Sequence, residues 1–255
     1  MEGNRCGFVV LAEQRTGSNL FLAGLKQHPR VNSFHEALNS NFQFMEEFTS
    51  DPDERLELER IRRHQPGRFL REYLYDWERH EQSHLGFKCQ YQNLRGKKTD
   101  EIVEALMSID GLVVVHLIRE NMLERLVSKL NAEITGRYWV GKGFEPPRAA
   151  PYAIGYDEAL ADFEAYSAEQ SRVESLFVGK RLLRVTYEEI VADYQRSVSR
   201  LLENLGLDAI SCEPGSVKQS IPAWEQVTNF NDLKHAFQGT SYARFFEVHE
   251  AKAVY

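Results

Sequence analysis

No run of apolar residues in this chain comes near the ~20 that a membrane-spanning helix requires. The longest, GFVVLA and GLVVVHLI, have the length of a strand. Cysteine is scarce: Cys6, Cys89 and Cys212 are odd in number, far apart and match no zinc-ligand spacing, which argues against a disulfide framework and a cysteine-ligated zinc site. Reduced thiols in a cytoplasmic protein are the expectation, and the N-terminal MEGNRC carries no signal-peptide pattern. Positive charge is in short supply. With 31 Lys and Arg against 38 Asp and Glu, the net charge of −7 argues against nucleic acid as the main partner. It leaves room for a local basic pocket. The 255 residues contain no internal repeat and no low-complexity linker.

What is there is an alternation of strands and helices. GFVVLA (7–12) is continuously apolar and reads as a buried parallel strand. SNLFLAGLKQHP reads as a helix ending before Pro29, and VNSF (31–34) as a short second strand. Residues 41–80 read as charged and helical, punctuated by Pro52 and Pro66. HLGFKCQ (84–90), LVVVHLI (112–118) and RLLRVTY read as further strands. The helices between and after them are KKTDEIVEALMSI, NMLERLVSKLNAEI, DEALADFEAYSAEQSRVESLF and DYQRSVSRLLENLGL. Residues 136–155, rich in Gly, Pro and aromatics, break the pattern and read as a long irregular loop, a feature often tied to function. Successive β–α units predict an α/β fold with a parallel sheet flanked by helices on both faces. Ligands then bind at the carboxyl ends of the strands.

The stretch FVVLAEQRTGSNL lies at such an end. A turn from a parallel strand into a helix aims backbone N–H groups and the helix dipole at one spot. Thr16, Ser18 and Asn19 add short polar side chains and Arg15 a full charge, together a cradle for a phosphate-like anion. An ordinary turn with a capping serine is the simpler alternative. Against the triphosphatase pattern GxxxxGK[ST], AEQRTGSN keeps only Gly17; Ser18 takes the lysine position and Asn19 the position that would hold magnesium. The loop is shaped for phosphate without the equipment for a magnesium-bound triphosphate.

QRTGSNL resembles the 5′-phosphosulfate loop of sulfotransferases that use 3′-phosphoadenosine 5′-phosphosulfate (PAPS), in the branch with Arg in place of the loop lysine. That branch includes the trehalose, nodulation-factor and lipopolysaccharide type enzymes. VVVHLIRENMLERLVSKLNA (113–132) resembles the family's 3′-phosphate motif, a strand, a terminal Arg119 and Ser128 on the next helix, with the RENxLxRxxS spacing of the nodulation-factor type. The spacing is physically sensible. Asn121 is placed to cap the helix, Ser128 follows two turns later on the same face, and Leu123, Leu126, Val127 and Leu130 take the core side. GFKCQYQ, LRVTYEEI and the segment from VKQS to SYARFF are weaker echoes of the family.

The resemblance implies a P-loop-type sulfotransferase fold over residues 1–255 as a single domain, with a helical segment at about 41–80 and an acceptor-side loop at about 136–155. It implies PAPS as the donor, 3′-phosphoadenosine 5′-phosphate (PAP) as the product, and no metal. Gln14, Arg15, Thr16, Gly17, Ser18 and Asn19 would hold the 5′-phosphosulfate, Arg119 and Ser128 the 3′-phosphate. Lys218 and Gln219 would touch the nucleotide, although a surface lysine is nearly as good a reading.

Sulfuryl transfer relies on alignment and electrostatics, so positive groups must meet the developing charge. Arg15 and Lys88 are the candidates, with a lysine snorkelling from a strand end as the alternative for Lys88. The acceptor needs a base. Glu36, just after the second strand, takes the position of the glutamate proposed for that role in the resembling carbohydrate enzymes, and His35 is the runner-up. His116, inside a strand, reads as a core histidine. Tyr138, Trp139, Phe144, Tyr152 and Tyr156 are candidates for an acceptor pocket. The acceptor is a carbohydrate or small-molecule hydroxyl or amine, and the oligomeric state stays open, a homodimer included. A P-loop kinase or hydrolase and a non-catalytic nucleotide-binding module are the alternative functions.

Overall fold

The computed structural model describes residues 5–40, 42, 45–138, 147–215 and 221–247. Its strands are β1 (Cys6–Ala12), β2 (Val31–Ser33), β3 (His84–Gln90), β4 (Val113–Ile118) and β5 (Arg181–Thr186). They form one parallel sheet in the order β2-β3-β1-β4-β5. The helices are α1 (Ser18–Leu25), α2 (Pro52–His64), α3 (Pro66–Phe69), α4 (Thr99–Met107), α5 (Met122–Thr135), α6 (Tyr156–Ser175), α7 (Tyr187–Ala192), α8 (Tyr194–Asn204), α9 (Ala223–Gln226) and α10 (Phe230–Ala236).

The unbroken apolar runs follow from burial on both faces of the sheet. In β1, Val9 and Leu11 join Leu85, Phe87 and Val114 in a core beneath α2, α4, α5 and α6. The alternate residues Phe8, Val10 and Ala12 join Val113, Val115 and Leu117 in a second core with α1 and α8. The C-terminal segment packs aromatic rings onto the first core, with Phe163 and Phe237 at 5.6 Å and Phe237 and Phe246 at 5.2 Å between centroids.

Local signals explain most boundaries. Pro52 and Pro66 each open a helix, where a missing N–H costs nothing. Asp51 caps α2 by accepting from the N–H groups of Asp53 and Glu54. Asn121 caps α5 by accepting from the Glu124 N–H at 2.9 Å. Helix α1 stops at Leu25, short of the bound set by Pro29, and Gln27 bonds across to the Glu213 carbonyl. RLLRVTY ends as a strand at Thr186, because that hydroxyl caps a further helix, α7, that periodicity did not reveal.

The topology creates a crevice beside β1. Helix α1, after β1, leaves toward the second core, whereas α5, after the adjacent β4, leaves toward the first. Neighbouring strands that send their helices to opposite faces open a cleft at their carboxyl ends, where α/β sheets bind ligands.

Candidate active site

The turn after β1 is built around three constraints. Arg15 (φ 67°) and Gly17 (φ 82°) both take left-handed backbone conformations. A Cβ on Gly17 would sit 2.6 Å from Cδ2 of Tyr187, so the loop tolerates only glycine there on steric grounds as well. Thr16 is fully buried, and its hydroxyl donates to the Glu13 carbonyl at 2.9 Å, closing the turn. Gly17, not Ser18, stands at the cap of α1, and among the described residues no side chain caps that helix end. The first-turn N–H groups of Ser18 and Asn19 therefore face the crevice without a side-chain acceptor.

Arg119 and Ser128 are both buried and both touch Arg15. The Arg15 Nε donates to Ser128 Oγ at 3.0 Å, one terminal nitrogen donates to the Tyr138 carbonyl at 2.5 Å, and an Arg119 nitrogen lies 3.5 Å from the Arg15 carbonyl oxygen. Arg119 sits over the Tyr187 ring at 4.4 Å and pairs with Glu124 at 3.3 Å. Its Nε is buried and has no hydrogen-bond partner among the described residues. Burial first, and the neighbouring Arg119 second, lower the pKa of the Arg15 guanidinium. A half-buried and a buried guanidinium in contact, one with an N–H left unsatisfied among the described residues, match the chemistry of an anion site.

A second cluster lies one strand away. The Phe34 N–H donates to the Gly86 carbonyl at 2.8 Å and the Lys88 N–H to the His35 carbonyl at 2.6 Å, so the chain runs on along β3 beyond β2. His35 then takes a left-handed φ of 49°, and the turn sets Glu36 against Lys88. The Lys88 Nζ is 2.5 Å from Glu36 Oε1 and 3.5 Å from Asn19 Oδ1. Gln90 Nε2 donates to the same Oε1 at 2.8 Å, and Asn39 Nδ2 donates to Oε2. Burial lowers the Lys88 pKa, and the Glu36 carboxylate works against that fall. Burial also lowers the His35 pKa, with Lys26 next in weight.

The structure thus gathers Arg15, Gly17, Ser18, Arg119 and Ser128 in one group and Asn19, Glu36 and Lys88 in another, with the α1 terminus between them. Gln14 closes locally, its N–H on Glu13 Oε1 at 2.9 Å. His116 bonds with both ring nitrogens, to Tyr91 and to Glu174 (2.6 Å), as a core histidine would. Among the aromatics, Tyr138 reaches the site through its carbonyl. Tyr152 bonds to the Val127 carbonyl and Tyr156 packs on Phe237. Trp139, Phe144, Lys218 and Gln219 lie outside the described residues. Among the described residues, no three His, Cys, Asp or Glu side chains cluster to hold a metal ion. No helix there is long and apolar enough to cross a membrane.

Several contributors escaped the sequence reading. Tyr187 supports both Gly17 and Arg119, and the adjacent Glu188 accepts the N–H groups of Glu120 and Asn121 at 3.0 and 3.2 Å. Tyr166 accepts the Arg119 N–H at 3.0 Å. Only YEEI, within LRVTYEEI, carried a signal for any of them.

Comparisons with known proteins place the chain in a family. The chain is 27% identical to nodulation protein H of Rhizobium meliloti over 248 residues, covering 94% of this chain and 95% of that protein. It is 28% identical to nodulation protein H of Rhizobium tropici over 254 residues, covering 96% and 95%. A sulfotransferase crystal structure from Alicyclobacillus acidocaldarius shares the fold, with a TM-score of 0.52 at 15% identity over 94% of this chain and 92% of that one. Residues 8–211, which carry the sheet, the turn after β1, Glu36, Lys88, Arg119 and Ser128, match the model of the Sulfotransferase family, and the chain is a member of that family, a sulfotransferase enzyme.

Proposed function

We propose that this sulfotransferase takes its sulfuryl group from PAPS and delivers it to a hydroxyl or amine of a carbohydrate or small-molecule natural product. The observation that carries the reading is Arg15 bonded to Ser128 and in contact with the buried Arg119, whose Nε has no partner among the described residues, beside the N-terminus of α1. A nucleotide bearing phosphates at both its 3′ and 5′ positions suits that arrangement. Arg119, Ser128 and the Arg15 side chain would take the 3′-phosphate. The N–H groups of Gly17, Ser18 and Asn19 would take the 5′-phosphosulfate, with the backbone of Gln14 to Thr16 shaping the turn.

When bound, PAPS supplies an activated sulfuryl group on a phosphate leaving group. Lys88, buried beside Glu36, would meet negative charge developing on the transferred group and its leaving phosphate. Glu36 takes the base role over His35 because its carboxylate is the group in contact with Lys88. The three free thiols suit a reducing cytoplasm.

Thermal unfolding with PAP, AMP, ADP or magnesium-ATP tests the reading. A ligand at a hundredfold excess over its Kd stabilises by about 2.7 kcal/mol. Stabilisation by PAP well beyond that by AMP and ADP is the expected result. Stabilisation by magnesium-ATP alone would replace the reading with a kinase or hydrolase, and no stabilisation by any of them with a binding module for another ligand.

A further inference from the structure

The amide network around Glu36 does more than pack the loop. We infer that Gln90 and Asn39 are positioning residues that present Oε2 of Glu36 as the oxygen that takes the acceptor's proton. The inference rests on the reading of Glu36 as the base.

A carboxylate oxygen offers two lone pairs. Oε1 of Glu36 accepts from Lys88 Nζ at 2.5 Å and from Gln90 Nε2 at 2.8 Å, which fills it. Among the described residues Oε2 accepts only from Asn39 Nδ2, which leaves one lone pair there. Lys88 and Gln90 are two residues apart on β3 and so share a face, which fixes Oε1 between neighbouring side chains on a rigid strand.

The sense of each amide is determined by its far end. Gln92 Nε2 donates to Gln90 Oε1 at 2.5 Å, so the Gln90 NH₂ must face Glu36. Asn93 Nδ2 donates to Asn39 Oδ1 at 3.1 Å, so the Asn39 NH₂ must face Glu36 as well. Asn93 is itself anchored by the Gln90 N–H on its Oδ1 at 2.9 Å. Beneath the loop, the buried Arg62 donates to the carbonyls of Asn39 (2.5 Å) and Ala37 (3.2 Å) and pairs with Glu59 at 2.8 Å. A flipped amide anywhere in this ring would set donor against donor, so the ring holds one arrangement.

In the transfer step the acceptor O–H proton passes to Oε2 while the acceptor oxygen bonds to sulfur. The bond from sulfur to the phosphate oxygen breaks, and its electron pair leaves on phosphate. A carboxylate free to rotate would spend time with its reactive lone pair directed away from the acceptor.

The test uses the full chain, with PAP release from PAPS and water as the acceptor. Gln90→Met keeps the side-chain length and removes the donor. It is expected to lower kcat at least tenfold, with the KM for PAPS and the affinity for PAP within twofold of the parent. In a Glu36→Gln background the same substitution is expected to change nothing further, because it acts only through Glu36. Asn39→Ala is a second, independent variant with the same expected signature. Unchanged kcat in both variants, or an equal loss on top of Glu36→Gln, would overturn the inference. Loss of PAP affinity in step with kcat would overturn it too, by marking the network as structural. If Glu36→Gln alone keeps the parent's turnover, the base reading fails instead, a result distinguishable from the others.

Discussion

The Nε of Arg15 donates to the hydroxyl of Ser128 at 3.0 Å, joining the turn after β1 to the middle of α5 across 113 residues of chain. The motif resemblance assigns Arg15 to the 5′-phosphosulfate and Ser128 to the 3′-phosphate, whereas in the structure the two side chains are bonded to each other. If Ser128 helps to hold the 3′-phosphate, Ser128→Ala removes a hydrogen bond to a charged group, worth about 1.5–3 kcal/mol. The Kd for PAP should rise roughly ten- to hundredfold, while the Kd for AMP, which lacks that phosphate, stays near its parent value. Titration calorimetry with both nucleotides checks this; an unchanged PAP-to-AMP ratio would remove Ser128 from the phosphate site.

Gly17→Ala should damage the fold and the site together. The new Cβ meets the Tyr187 ring at 2.6 Å, and the φ of 82° is unfavourable for any residue with a side chain. Strain of about 1–3 kcal/mol is expected, which lowers Tm by roughly 2–4 °C per kcal/mol in a chain of this size. Because Tyr187 also carries Arg119, PAP binding should weaken in the variant. A parent-like Tm and parent-like PAP affinity would refute the steric argument.

Glu36→Gln should separate binding from transfer. The amide keeps the shape of the side chain but cannot accept a proton, so kcat for PAP release from PAPS should fall about 10²–10⁴-fold. PAP should still stabilise the protein to thermal unfolding, since Glu36 lies in the cluster with Lys88 and not with Arg119 and Ser128. Turnover at the parent rate would transfer attention to His35.

Stability should fall on mild acidification. His84 and His116 are fully buried, and burial is the leading cause lowering both pKa values from 6.5. As pH falls through about 6.5, the unfolded chain takes up protons that the folded chain refuses, so stability drops with pH until the lower folded values are reached. Each histidine sets a slope of at most about 1.4 kcal/mol per pH unit in that window. Glu174, whose pKa is held down chiefly by Arg184, loses its contribution only below its ordinary carboxylate range. Urea unfolding at pH 7.5 and 5.5 reads the difference. A flat or rising stability toward pH 5.5 would contradict the burial of these rings in neutral form.

Much of this protein was legible before any fold was seen, because the informative signals are local. A strand covered on both faces must be apolar throughout, so GFVVLA and LVVVHLI announce themselves. Prolines at helix starts and Asn121 at a helix cap act within a few residues of themselves. The two stretches proposed to bind phosphate are each contiguous, so their residue types and spacing can be read directly.

The sheet order decided the rest. Placing β1 between β3 and β4 sets Arg15 beside Ser128 and Arg119, and Asn19 beside Lys88. Tyr187 serves Gly17 from the far side of β4, and Gln90 reaches Glu36 only because residues 34–36 run on along β3. Periodicity in a sequence states which face of an element is buried, but not which distant residue will be pressed against it. By itself the sequence determined most of the elements, the family and the two stretches proposed to bind phosphate. Only the tertiary structure decided which charges meet, which lone pairs are filled and which N–H is left over, because hydrogen bonding and burial depend on neighbours far apart in the chain.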